Sequence, residues 1–359
     1  MILSVVMPAF NASSHMEDTL RSVAPLLGTA AELIFVDDGS TDDSVVRFKH
    51  LQAEVPLANS RLIQQAHAGV SVARNTGLSA ATGDYVLFLD SDDWVSEELL
   101  DAIDAAVGSR TPDVCCWGWD IVTATGEVQR HYFDVHPVAP SEMTGVEALR
   151  RRTVDRSLRL WTSSAAYRRS FVEEAALRFS PGCAVGEDLE FGYRALLHAR
   201  SVSFIPRVLA VYRKRSTSMT SSPSVERFGS VLALRRVLRE LEADGRPELE
   251  GITEHFRRNK ELVNYFYTLK ACLHARKARS PTVFLREIDG RFPSLNAEVR
   301  SAVRGSPGAT LFEWRLFATS PMCWWTWIRI HRRIDRLLPP RLRSSGPTAE
   351  KRRASLLAG

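Results

Sequence analysis

Short apolar runs separated by polar clusters set the rhythm of the first ninety residues. Ile2–Met7, Leu33–Val36, Arg61–Gln64 and Tyr85–Leu89 are brief, largely apolar and bounded by turn-forming residues, as expected of strands buried on both faces. Between them the spacing becomes helical: Met16, Leu20, Val23 and Leu27, then Val45, Val46, Phe48 and Leu51, then Gly69–Ala80. Ser14-His15-Met16-Glu17 has capping-box spacing, and Ser40 with Asp43 is expected to cap the second helix. The alternation β-α-β-α-β-α-β predicts an α/β fold with an open, mostly parallel sheet and helices on both faces. In such sheets ligands bind beyond the carboxyl ends of the strands. Pro8 to Asn11, Asp37 to Ser40 and Asp90 to Asp93 all follow strands, so they are expected to share one rim.

After Asp93 the pattern loosens. Glu97–Val107 reads as a helix, and Val114–Trp119 and Val128–Phe133 as strands pairing across Thr123–Gly126. Val146–Leu160 is expected to be a basic helix, Phe171–Leu177 a short one, and Gly186 to open a helix reaching about His198. Val202–Ile205 and Val208–Tyr212 flank Pro206, which assigns them to a sheet edge. A boundary is placed in the polar run 213–222, closing a first domain at residues 1–222. Val225–Ala278 is helical with a break at Gly245-Arg246-Pro247, a shorter helix follows Pro281, and residues 223–304 form a helical region. Gly305–Gly308 is a linker within a third unit, residues 305–340, and the tail 341–359 is expected to be disordered. In Met322–Leu338 one arc carries Trp324, Trp327, Ile328, His331, Ile334 and Leu338; the other carries Arg329, Arg332, Arg333 and Arg336, and Trp325 breaks the pattern.

Composition changes this picture little: 359 residues, 45% hydrophobic and 25% charged, describe an ordinary globular chain. Met1–Phe10 lacks a charged leader and reads as a strand, not a signal peptide. Cys115, Cys116, Cys183, Cys272 and Cys323 lack metal-ligand spacing and fit reduced thiols in a cytoplasmic protein. The net charge of +5 is concentrated after Leu311, which suggests an acidic partner surface. With tryptophans on one arc and arginines on the other, residues 322–338 suit an interfacial helix at an anionic membrane, hence a cytoplasmic protein peripheral on the inner face of the cell membrane. Packing on the catalytic domain or a dimer contact is the other reading.

The chemistry gathers at Asp90-Ser91-Asp92-Asp93. Asp90 and Asp92 are two positions apart, so in extended backbone both face one side, where they can hold a hard divalent cation that in turn holds a diphosphate. An acidic turn capping the next helix would have the same sequence. Asp37, after the second strand, offers a hydrogen-bond acceptor at the same rim, or a helix cap.

Val5-Val6-Met7-Pro8-Ala9-Phe10-Asn11, Ile34-Phe35-Val36-Asp37-Asp38-Gly39-Ser40-Thr41-Asp42, Gly69-Val70-Ser71-Val72-Ala73-Arg74-Asn75, Asp90-Ser91-Asp92-Asp93 and Gly186-Glu187-Asp188 together resemble the family 2 glycosyltransferases in order and spacing. The resemblance covers Ile2 to about Thr220. It implies a GT-A fold and an inverting transfer from a nucleotide sugar, with Mn²⁺ or Mg²⁺ as cofactor. By resemblance Pro8, Phe10 and Asp37 line the base and ribose pocket, with Asn11, Asp38 and Ser91 in the matching segments. Gly69 and Arg74 close that pocket, Arg74 near the base or else in a salt bridge to an Asp. Asp90 faces the ribose or the metal's waters, and Asp92 ligates the metal. Relatives often add a His, but none lies between His136 and His198, so no third ligand is placed. Asp188 is the expected base, and Glu187 orients the acceptor; a helix dipole favouring both acids is the plainer account. Arg213 and Arg215 fall in a run resembling the family's mobile segment and would grip the diphosphate. Trp161 falls where relatives keep an aromatic near the sugar, or is a core tryptophan.

These readings converge on a UDP-sugar-dependent transferase acting on a hydroxyl of a cell-envelope glycan or lipid-linked acceptor. GDP and dTDP stay open, and a homo-oligomer is allowed. A non-catalytic nucleotide-sugar-binding scaffold is the alternative. Nucleic acid is not expected as a partner, because it leaves the acidic cluster without a purpose. A dinucleotide oxidoreductase is disfavoured because no G-x-G-x-x-G follows the first strand.

Overall fold

The structure, a computed structural model, describes residues 2–214, 223–305 and 312–337, apart from positions 29, 56, 58 and 109. Arg215, residues 306–308 of the expected linker, the side chains from 333 to 337, Leu338 and the tail 341–359 lie outside the described residues.

The strands are β1 (Leu3–Ala9), β2 (Ala31–Asp37), β3 (Ser60–Gln64), β4 (Tyr85–Phe88), β5 (Trp94–Val95), β6 (Val114–Val122), β7 (Val128–Arg130), β8 (Glu142–Met143), β9 (Ala165–Arg168) and β10 (Val202–Arg213). One sheet runs β3-β2-β1-β4-β9-β6-β10-β5, with β7 added to β6 and β8 to β10. The first four strands are parallel, as their apolar runs predict. β9 then enters antiparallel between β4 and β6, so the sheet is mixed. Ala9 pairs with Asp37 and Asp37 with Gln64, while the Leu89 amide donates to the Val6 carbonyl at 3.0 Å. The loops after β1, β2, β3 and β4 therefore leave on one rim.

Several elements differ from expectation for local physical reasons. The first helix covers Met16–Val23 and gives way at Pro25 to a 3₁₀ turn; His15 holds the cap position but makes no side-chain hydrogen bond to the helix's first amides, so no capping box forms. In the helix Ser44–Glu54, Phe48 and Leu51 are buried but Val46 is 67% exposed. The expected long helix before Leu160 stops early: Gly145–Arg150 is α-helical, Arg151–Asp155 makes a π turn, and Arg156 turns left-handed at φ 55°. The two segments flanking Pro206 are one strand, β10, lying between β6 and β5. Register shifts at Ile205, Val208 and Ala210 absorb the missing proline donor, so this is no sheet edge. β9 and β5 have no counterpart in the pattern read from sequence.

A first hydrophobic core lies around the sheet and extends into Leu234, Val237 and Leu241 of the helix Gly229–Asp244. A second core joins Phe228, Tyr265, Phe266 and Leu269 to Phe284, Ile288, Val299, Phe317, Trp324 and Trp325. Two helices absent from the sequence reading, Leu295–Gly305 and Phe312–Thr319, contribute to it; Gly305 ends the first of them instead of opening a linker. In the last helix, Pro321–Leu337, the tryptophan arc turns inward: Trp324 is fully buried, Trp325 is 2% exposed, and Trp324 lies 5.3 Å from Phe317. Trp325, the residue that broke the pattern, donates its indole N–H to the Ala278 carbonyl at 3.0 Å. Trp324 and Trp325 are thus spent on packing, while Trp327 of the same arc is half-buried. Among the described residues no helix is long and apolar enough to cross a membrane. All five cysteines are free, four buried and Cys323 exposed.

Candidate active site

The rim is organised by buried carboxylates that hold neighbouring loops. Asp38, 2% exposed, accepts from the Ala68 and Gly69 amides at 2.9 and 2.8 Å, accepts from Gln65 at 2.7 Å and pairs with His67 at 2.9 Å. Its carboxylate is spent on fixing the loop after β3, the loop that carries His67 and Gly69. Gly69 has φ 92°, a conformation suited to glycine, and precedes the helix Val70–Ala80. Asn11, left-handed at φ 51°, does similar work across the first two loops: its Oδ1 accepts from the Thr41 amide at 2.8 Å. Asp37 is 2% exposed at the end of β2, accepting from the Ser40 amide at 3.3 Å. Pro8 is buried in β1.

Phe10 remains 45% exposed and stacks on His67, with centroids 4.1 Å apart. His67 was missed from sequence. The only hint was a polar ring three residues after the third strand and two ahead of Gly69.

At the centre, Arg74 joins two segments far apart in the chain. It is 3% exposed, donates through Nη2 to Asp90 Oδ1 at 2.7 Å and through Nη1 to Glu187 Oε1 at 2.8 Å, and lies over Phe179 at 5.0 Å. The salt-bridge reading of Arg74 is the one observed, with Glu187 as a second partner. Arg74 can sit here because its helix approaches β1 closely at Gly77, where a Cβ would meet Val6 Cγ1 at 2.3 Å. Burial alone would weaken the Arg74 charge, but Asp90 and Glu187 outweigh it and hold the guanidinium protonated. Burial, reinforced by the Asp188 charge and opposed by Arg74, pushes Glu187 up to about 7.

Glu187 and Asp188 open the helix Glu187–His198 behind Gly186, at φ 93°. A Cβ on Gly186 would lie 2.5 Å from Ser230 Cα, so glycine lets this loop rest on the helix Gly229–Asp244. While Glu187 faces Arg74 and Asp90, Asp188 is half-buried beside Thr162, whose hydroxyl donates to Asp188 Oδ2 at 3.4 Å. Trp161 is half-buried, 5.5 Å from Trp119 and 5.0 Å from Tyr212.

In the acidic turn Asp90 keeps 28% of its side chain exposed and Asp92 is half-buried. Ser91 accepts at its carbonyl from Thr19 at 2.9 Å, and its hydroxyl lies 3.4 Å from His15 Nε2. Asp93, part of the acidic segment but given no role of its own from sequence, is fully buried against Ser163 at 3.4 Å. Burial, then Asp92 and Asp90, push the Asp93 carboxyl well above the usual range. Asp90 and Asp92, the partly exposed acids of this turn, offer oxygen donors alone, a set that suits a hard divalent cation. Among the described residues no three His, Cys, Asp or Glu gather closely enough to form a complete cage. Two carboxylates with ligand phosphates completing the shell is the arrangement such a donor set fits. The Arg213 guanidinium donates to Asp18 at 2.6 Å and to the His15 carbonyl at 3.1 Å, and lies over Trp94. A buried cation takes the nearest acceptors, here those of the first helix.

Residues 4–175 match the sequence profile described as glycosyl transferase family 2. This stretch is a family 2 glycosyltransferase domain. The uncharacterized glycosyltransferase YibD of Escherichia coli is 30% identical over 61% of this chain and 63% of its own length. The poly(ribitol-phosphate) beta-N-acetylglucosaminyltransferase TarS of Staphylococcus aureus is 27% identical over 65% of this chain and 40% of its own. The chain thus spans a little under two thirds of YibD, and less of TarS. In solved structures, S. aureus TarS 1–349 in complex with UDP-GlcNAc superimposes with a TM-score of 0.61 at 20% identity, covering 93% of this chain and 92% of that one. A mannosyltransferase of Pyrobaculum calidifontis, in complex with GDP-Man and Mn²⁺, gives 0.52 at 17% identity, covering 91% and 86%. The family 2 domain therefore has the GT-A fold and is followed by a helical region.

Proposed function

We propose that the chain is an inverting, divalent-metal-dependent transferase moving a sugar from a UDP-sugar to a hydroxyl of a cell-envelope glycan. One observation carries the reading: Arg74 ties Asp90 to Glu187, bringing the acidic turn and the helix that bears Asp188 to one rim. Support comes also from the UDP-GlcNAc held by the TarS neighbour and the Mn²⁺ of the mannosyltransferase.

In this reading Phe10 and His67 flank the base, and Asp37 accepts from it. Asp90 and Asp92 would hold Mn²⁺ or Mg²⁺, which when bound offsets negative charge on the departing diphosphate. Arg74 neutralises part of the acidic turn and fixes its geometry before the donor arrives. Asp188 takes the proton of the acceptor hydroxyl, on the face opposite the diphosphate. Trp161 offers the sugar a flat apolar shelf.

The test is metal-dependent hydrolysis of UDP-sugars, with UDP-GlcNAc first. Hydrolysis that disappears with chelator and falls about 10²–10⁴-fold in Asp188→Asn supports the reading. Metal-linked binding of the donor with no turnover of any UDP-sugar would instead make the chain a scaffold.

A further inference from the structure

The last helix, Pro321–Leu337, turns Trp324 and Trp325 inward and leaves its opposite side to solvent. Met322, Thr326 and Ile330 follow at intervals of four, so one side of the helix carries all three, and all three are exposed. Half-buried Trp327 flanks them three positions before Ile330, and its ring centroid lies 5.9 Å from that of Phe312. On the other flank the Thr282 hydroxyl lies 3.8 Å from Met322 Sδ, and Val283 comes next along the chain. Met322, Ile330, Phe312 and Val283 are each between 46% and 66% exposed. Large apolar side chains left singly in water need no explanation, but a strip of them does.

Cations border the strip. The Arg329 guanidinium donates to the Arg279 carbonyl at 3.4 Å. Lys277 and Arg279 are themselves exposed, in the loop that meets this helix where Trp325 bonds to Ala278. Among the described residues no ion pair goes to Lys277, Arg279 or Arg329; the acids of the neighbouring helices, Glu287 and Glu313, are taken by Arg276 and Lys270. From Leu311 to the end the sequence carries ten Arg or Lys against three acids.

The face therefore fits a partner that is both negative and apolar. A nucleic acid or an acidic peptide would answer the cations and leave the strip in water. A lipid surface answers both, since acyl chains take up the strip while anionic head groups meet the arginines. We propose that this side of the last helix docks on an anionic membrane, with Ile330, Met322 and Phe312 inserted and Lys277, Arg279 and Arg329 at the head groups. It is the reverse of the side that the tryptophan pattern marks in the sequence. The surface uses no residue of the candidate active site and does not depend on the transferase reading.

The test sediments the full-length protein with two kinds of vesicle, one of phosphatidylcholine alone and one of phosphatidylcholine and phosphatidylglycerol in equal parts. Binding is expected to the mixed vesicles only, and to weaken as salt screens the arginines. Arg279→Gln and Arg329→Gln should each weaken it about fivefold, the worth of one cation near such a surface. Ile330→Ser should weaken it about tenfold by removing an inserted side chain. Val46→Ser, which removes an exposed side chain from the helix Ser44–Glu54, should change nothing. Because Ile330 and Val46 both face solvent, neither variant should lose its fold, as urea midpoints would show. Equal binding to both vesicles, binding to neither, or binding that survives Ile330→Ser overturns the surface. So does a dimer in light scattering that Ile330→Ser dissociates, since a second copy would then be the occupant. Protein that binds the mixed vesicles as described yet hydrolyses no UDP-sugar fails the transferase reading and leaves the docking surface supported.

Discussion

At the scale of single residues, the site turns on Arg74. Its two partners lie 16 and 113 positions away, and the guanidinium reaches both because it is a planar fork. Lysine keeps the charge but not the fork. Arg74→Lys is expected to leave one buried carboxylate poorly paired, costing about 3 kcal/mol in urea unfolding and most of the hydrolysis. The sequence showed an arginine that would serve either the base or an ion pair. It could not show the choice, because Glu187 is unreachable by any local pattern. Glu187 carries a pH signature. Its carboxyl is raised in the folded chain from 4.5 to about 7, so between those values the native state keeps a proton that the unfolded chain releases. Stability should therefore be fullest below pH 4.5 for this group and fall as pH rises toward about 7, by up to about 1.4 kcal/mol per pH unit. Glu187→Gln should flatten that slope, as read by urea midpoints at pH 5 and 7.5 against wild type.

At the scale of elements, the sequence was most legible where strands were continuous apolar runs. β1, β2, β3 and β4 and the three helices between them come in the expected order, although the first helix stops at Val23 and Val46 is exposed, and so the shared rim was visible. Elements whose form depends on distant neighbours were not. β9 is four residues, Ala-Ala-Tyr-Arg, with neither alternation nor a branched run to mark it; what makes it a strand is burial between β4 and β6. The helix expected to reach Leu160 was overruled by the left-handed Arg156, after which the chain runs on to present Trp161. Gly186 is the joint of greatest consequence. Gly186→Ala should strain a φ of 93° and press on Ser230. A cost of about 1–3 kcal/mol is expected, with hydrolysis falling by more than the loss of folded protein explains. Unfolding curves measured beside rates at saturating donor would separate the two.

At the scale of the whole molecule, two cores share one helix. Gly229–Asp244 places Leu234, Val237 and Leu241 in the sheet's core and Val231 in the helical one. Arg236 pairs with Glu190, and Glu240 takes Arg194 and His198, so that helix is bound along the helix of Glu187 and Asp188. Charge and periodicity separated the two regions near residue 222 without showing this dependence, which is made of contacts between them. The last helix matters for stability through Trp324: Trp324→Ala is expected to cost about 3–5 kcal/mol, seen as a lower midpoint in thermal melts. Because Ser230 backs Gly186, the functional unit and the sequence family part company. Chimaeras with a related transferase make the difference measurable. A graft joined at 222 inherits a foreign buttress beneath Gly186 and should be inert, whereas one joined beyond Asp244 carries its own scaffolding and should keep its native turnover.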